Sequence, residues 1–139
     1  MDDLINAYNS TSYNVFKPKL SILVGQTNPK VDILLEKYKC TEWAYITAHN
    51  PYSNVLTDQE NIDRHNHLKK DLSNYSTFEG EGVGMDNTWT PERSFLILGI
   101  SEMEAIKLGG KFEQYAIVIG GFKKKARLVL LKEVDNLGH

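Results

Sequence analysis

The chain has a single cysteine, Cys40, in 139 residues. That excludes an intrachain disulfide, and there is no Cys-x-x-Cys pair to hold zinc or to exchange thiols. Nothing approaches the ~18 consecutive apolar residues of a membrane-spanning helix. The start, Met1-Asp2-Asp3-Leu4, is acidic and lacks the basic stretch and apolar run of a secretory leader. No charge of one sign dominates: 16 Lys and Arg stand against 18 Asp and Glu, a net of −2. That argues against a nucleic-acid binder working by bulk charge and leaves only local patches to weigh. Walker, dinucleotide and G-x-S-x-G patterns are all missing, as are internal repeats and Pro/Ser linkers. What is there is ordinary globular material, 41% apolar and 24% charged. The length suits one domain, residues 1–139, burying about two-thirds of its unfolded surface. The expectation is a soluble, cytoplasmic protein with no membrane partner.

Local patterns supply strands and helices. Thr11–Phe16 alternates, Lys17-Pro18-Lys19 turns the chain, and Leu20–Val24 returns as the second strand of a hairpin. Asn28-Pro29 combines an N-cap with a first-turn proline. Val31, Leu34, Leu35 and Tyr38 follow on one face, predicting a helix over Pro29–Lys39. Trp43–Ala48 is a short apolar run that predicts a buried central strand. Thr57-Asp58-Gln59-Glu60 is a capping box opening a helix over Asp58–Ser73, and Ser101–Glu104 opens another over Glu102–Leu108, which Gly109-Gly110 would end. Further strands are predicted at Thr77–Val83, Ser94–Gly99, Tyr115–Ile119 and Leu128–Leu131, the last two joined through Gly120-Gly121. The order predicts an α+β (mixed α/β) domain: one mixed sheet with about three helices packed on it, without regular βαβ alternation.

The densest polar cluster, Thr47-Ala48-His49-Asn50-Pro51-Tyr52-Ser53-Asn54, leaves the predicted central strand at its carboxyl end, where open sheets form ligand crevices. Pro51 should push Asn50 into an extended conformation and so aim its amide. The same composition also suits a simple polar turn.

Together with segments further along, this cluster resembles the bacterial "domain of unknown function 3293" family. The resemblance rests on Trp43-Ala44, Thr47-Ala48-His49-Asn50-Pro51-Tyr52-Ser53, Glu60-Asn61 with Arg64, Trp89-Thr90-Pro91-Glu92-Arg93-Ser94, and Phe112-Glu113-Gln114-Tyr115-Ala116. The family often has Trp where His49 stands and Arg where Tyr52 stands. The resemblance implies where a site lies and implies no reaction.

Each residue so marked has a bland reading beside the chemical one. Glu60 either caps its own helix and pairs with Arg64, or faces the crevice as a catalytic base. Asn61 and Arg64 lack such a local explanation and are expected ligand contacts. Trp89 either plugs the core edge or forms a stacking wall for a planar ligand. Glu92, between a proline and an apolar strand, is either a general acid/base or half of an ion pair with Arg64 or Arg93. Gln114 is either an edge polar residue or a binding residue. His65 and His67 point to different helix faces, so no metal and no cofactor is expected. Gly25–Lys30 is the better of two glycine-containing loops for phosphate, although an ordinary capped turn explains it too. Lys123-Lys124-Lys125-Ala126-Arg127 is either a solvated hairpin tip or a contact for nucleic acid.

Two functions follow. In the favoured one, a crevice formed by Thr47, Asn50, Ser53, Asn61, Arg64, Trp89 and Gln114 binds a small nucleotide-like or sugar-like molecule. If there is chemistry, it is hydrolysis or group transfer, with Glu92 or Glu60 as acid/base. The alternative is a nucleic-acid or protein interaction module using Tyr8, Tyr13, Tyr38, Tyr52, Tyr75 and Trp89 with the 123–127 basic run.

Overall fold

The computed structural model describes residues 2–84 and 90–132. Four α-helices, α1 (Asp2–Ser10), α2 (Pro29–Tyr38), α3 (Asp58–Asp71) and α4 (Glu102–Lys111), pack with seven strands. The strands are β1 (Ser12–Val15), β2 (Leu20–Ile22), β3 (Glu42–Thr47), β4 (Ser76–Val83), β5 (Glu92–Leu98), β6 (Ala116–Gly121) and β7 (Arg127–Leu130). They form one sheet in the order β2-β1-β4-β5-β3-β6-β7.

The class is α+β as expected, but the sheet is not mixed: every neighbouring pair is antiparallel. The reason is topological. α3 links β3 to β4 and α4 links β5 to β6, strands that run in the same direction, yet each pair has one opposed strand inserted between its members. Local signals reveal the crossovers but not what lies between their ends.

The helix missing from the sequence reading is α1. Its stripe is only Leu4, Ile5 and Tyr8, and its C-terminal carbonyls are satisfied locally by Ser10 Oγ on Asn6 O and Thr11 Oγ1 on Ala7 O. α4 also runs through Gly109-Gly110 instead of stopping there. Gly109 is a packing glycine: a Cβ would lie 2.4 Å from Leu131 Cδ1 and 2.8 Å from Ile117 Cγ2. β5 begins at Glu92, two residues before the expected Ser94, and Gly120-Gly121 belong to β6 and not to the turn after it.

The core is split by the sheet. On one face, Trp43, Tyr45, Leu96, Leu98 and Val118 pack with Val31, Leu34 and Leu35 of α2. On the other, Ala44, Ile46, Phe95, Ile97, Ile117 and Ile119 pack with Leu68 of α3 and Ala105 of α4. Strict alternation along β3, β5 and β6 therefore decides each side chain's face. No helix among the described residues is long and apolar enough to cross a membrane.

Candidate functional site

On the α2 face, the far end of the sheet holds a cavity of about 50 Å³ that several elements enclose. β3 contributes Tyr45 and Thr47, β5 Glu92 and Ser94, β1 Tyr13, β4 Gly82, and α1 reaches over with Tyr8. Gln114, Ala116, Val118 and Leu128 close the other side. Glu92 enters this space because it shares the strand face of Ser94, Leu96 and Leu98.

The part-buried Glu92 carboxylate accepts a hydrogen bond from Asn50 Nδ2 at 2.8 Å. Behind Asn50 lies a reciprocal pair: Asn61 Nδ2 donates to Asn50 Oδ1 and the Asn50 N–H donates to Asn61 Oδ1, both at 2.9 Å. Asn50 Oδ1 also accepts from the Leu56 N–H. These bonds hold Asn50 at φ 48°, a left-handed conformation and not the extended one that the following proline favours. Asparagine tolerates that region, and its backbone and amide bonds over-determine it. Tyr52 and Ser53 also have positive φ, at 47° and 64°, so this turn concentrates backbone strain beside the cavity.

Arg64 is one turn beyond Asn61 but does not reach the cavity. Its Nε donates to Ala48 O at 2.6 Å, another guanidinium nitrogen donates to Phe112 O, and Glu113 Oε1 stands 3.5 Å away. Arg64 ties α3 to the end of β3 and to the segment after α4. The expected pairing of Glu92 with Arg64 or Arg93 is likewise absent: Arg93 donates to Glu79 at 2.6 Å and lies over the Phe16 ring. Among the described residues only Asn50 donates to the Glu92 carboxylate.

Electrostatics follow from this isolation. Desolvation pushes the Glu92 carboxyl above its usual range, opposed in part by the Asn50 amide. Burial lifts the Tyr8 phenol to about 12, the Glu92 charge raising it and a hydrogen bond with Ser53 lowering it. Burial raises Tyr13 and Tyr45 as well. The three phenols are therefore protonated at neutral pH, and Glu92 is the cavity group suited to exchanging a proton.

The other predicted residues divide. Thr47 and Gln114 line the cavity. Thr47 Oγ1 donates to Arg93 O, and Gln114 is buried with its amide donating to His49 O and Phe112 O. Ser53 is exposed and is not among the residues that line the cavity. Glu60 is fully exposed and closes the capping box with Thr57, whose N–H and hydroxyl hydrogen-bond to its carboxylate and hold the carboxyl below the usual range. Trp89 lies outside the described residues. The Gly25–Lys30 loop is a capped turn, since Asn28 Oδ1 already accepts from the Lys30 and Val31 N–H groups.

The basic run turns the β6–β7 hairpin, where Arg127 pairs with Glu102 and the Lys123 N–H donates to Asp32. Tyr13, expected on an exposed aromatic surface, is buried. No group of three or more potential metal ligands occurs among the described residues.

Tyr8, Thr11, Tyr13, Tyr45 and Ser94 are polar cavity residues that the sequence did not mark for this crevice. For Tyr45 and Ser94 a signal existed, the period of two that puts them on the faces of Thr47 and Glu92. For Tyr8 there was none, because only α1's placement brings it over.

A family model described as "Protein of unknown function (DUF3293)" matches residues 46–117, about half of the chain. The chain belongs to this family. No curated protein and no solved structure matches the chain. The DUF3293 match takes in Thr47, Gly82, Glu92, Ser94 and Gln114, while Tyr8, Tyr13, Tyr45 and Leu128 come from outside it. The family segment and the flanking elements thus both contribute to the lining.

Proposed function

We propose that the protein binds a small molecule in the cavity at the carboxyl end of β3, and that Glu92 exchanges a proton with it. The observation that carries this reading is a desolvated carboxylate, fixed by Asn50, in an apolar-walled space with no cationic partner among the described residues. A carboxyl raised above its usual range is better suited to take up and return a proton, as hydrolysis or group transfer requires. Arg64 takes no part in binding, because its guanidinium is committed to main-chain carbonyls. With a cavity of about 50 Å³, only one small group of a nucleotide-like or sugar-like molecule would enter, the remainder standing outside.

The test is a nuclear magnetic resonance titration of the intact chain with neutral, cationic and anionic fragments. Shifts converging on Thr47, Gly82, Ser94 and the Gln114 side-chain amide, with a Glu92 pKa that moves on binding, are the expected result. Fragments that perturb other surfaces and leave these resonances still would sink the reading.

A further inference from the structure

We infer that the group recognised in this cavity is a protonated amine, the ammonium end of a small molecule. This rests on the reading that the cavity is a binding site and adds the chemistry of what enters it.

The inference comes from counting donors. Around the cavity the side-chain donors are already spent on main-chain carbonyls. Tyr13 Oη donates to Tyr8 O and Tyr45 Oη to Asn14 O, both at 2.6 Å. Thr11 Oγ1 donates to Ala7 O at 2.6 Å, Thr47 Oγ1 to Arg93 O at 2.7 Å, and Ser94 Oγ to Glu92 O at 2.9 Å. Gln114 Nε2 serves two carbonyls, His49 O and Phe112 O, at 3.0 Å each. Tyr8 stands apart from this pattern: its phenol donates to no main-chain carbonyl among the described residues, so it remains a donor in the lining.

Beside the one Tyr8 hydroxyl, what these bonds leave over is acceptors: hydroxyl lone pairs, the Gln114 carbonyl oxygen and the Glu92 carboxylate. Among the described residues no Lys, Arg or His side chain lines the space. A ligand that brings only acceptors, such as a carboxylate or phosphate, would meet lone pairs and a negative charge. A neutral hydroxyl has one donor to offer. An ammonium has three donors and a positive charge, and it places that charge beside a carboxylate that has no cationic partner among the described residues.

The walls fit the same group. Tyr13 and Tyr45 meet edge to face with centroids 5.4 Å apart, and both line the cavity together with Tyr8 and Glu92. Aromatic rings attract cations electrostatically, most strongly in desolvated sites. The volume of about 50 Å³ exceeds the ~10–15 Å³ that admits one water, which suits an ammonium head with a short alkyl stem.

The probes are n-butylammonium, n-butanol and butyrate, matched in length and differing in charge, each titrated into the intact chain and read at the Gln114 side-chain amide and the Gly82 and Ser94 backbone. Saturable binding is expected for n-butylammonium, weaker binding for n-butanol and none for butyrate. The Glu92→Gln variant keeps an acceptor for Asn50 and removes the charge. It should weaken n-butylammonium by roughly 10-fold or more, the scale of a hydrogen bond to a charged partner, and leave n-butanol unaffected. The affinity for n-butylammonium should also rise with pH as the Glu92 carboxyl ionises.

Butyrate or n-butanol binding more tightly than n-butylammonium at this site in the native chain would overturn the amine inference while the binding site stood. Undiminished n-butylammonium binding by a folded Glu92→Gln variant would do the same. Silence at these resonances from all three probes would overturn both readings. Because the ranking in the native chain decides by itself, a variant that fails to fold does not rescue the proposal.

Discussion

Two polar groupings meet at the end of β3, and they differ in what their hydrogen bonds leave over. The Asn50–Asn61–Arg64 grouping is closed. The asparagines satisfy each other, Leu56 donates to the first, and the guanidinium is consumed by Ala48 O and Phe112 O. The cavity is open-ended, because its side-chain donors other than Tyr8 are used by the main chain and its carboxylate has one amide donor among the described residues. Both consist of the residue types that suggest a site, yet only the second has bonding capacity left for a ligand. A satisfied network fixes the chain's path, whereas an unsatisfied one can recognise something else.

That contrast can be broken by stability measurements. The largest effect should come from Arg64→Ala, which strips donors from Ala48 O and Phe112 O. A loss of about 2–3 kcal/mol is expected in denaturant unfolding. A loss under ~0.5 kcal/mol would mean that the guanidinium is free for a ligand after all.

Next come Asn50→Ala and Asn61→Ala, each expected to cost ~1–3 kcal/mol by stranding its partner. The double variant should cost less than their sum, since one shared pair is being removed twice. Strict additivity would dissolve the reciprocal pair into independent contacts. Thr57→Ala, which removes the N-cap of α3, should cost ~1 kcal/mol and leave ligand binding unaltered, separating the helix start from the cavity.

The pH dependence sharpens the comparison further. The folded-state pKa of Glu92 is raised, so its contribution to stability is present below the unfolded carboxyl value of 4.5 and is lost as pH climbs through the raised value. Glu92→Gln should flatten that descent.

His49 works in the opposite sense. Burial and the neighbouring His65 lower its pKa to about 4, so the stability of the neutral ring is present above the unfolded value of 6.5 and lost as pH falls towards 4. His49→Gln should flatten this acid limb. Thermal unfolding across pH 4–7 would read both slopes, and a native curve unchanged by either substitution would remove the electrostatic distinction. The smallest effect belongs to Lys123→Glu with Lys125→Glu, exposed on the β6–β7 hairpin and expected to shift stability by no more than ~0.5 kcal/mol.

Much of this molecule was legible in the sequence for local reasons. Asn28-Pro29 and Thr57–Glu60 name their helix starts because caps are bonds between residues two or three apart. Alternation along Trp43–Ala48 sorts side chains between two faces because a strand repeats every two residues. The polar turn at 47–54 could be found because residues of that kind gather where a strand ends.

Only the tertiary structure decided the rest. Strands inserted between the ends of each crossover made the sheet wholly antiparallel, and no local pattern encodes what will fill such a gap. Packing against Ile117 and Leu131 carried α4 through two glycines that read as a stop. The sorting of Asn50, Asn61, Arg64 and Glu92 into closed grouping and cavity depended on which acceptors came within reach across 11, 16, 42 and 48 residues of chain. A sequence shows which side chains can donate and accept. Whether those capacities are already spent is settled only when distant backbone arrives beside them.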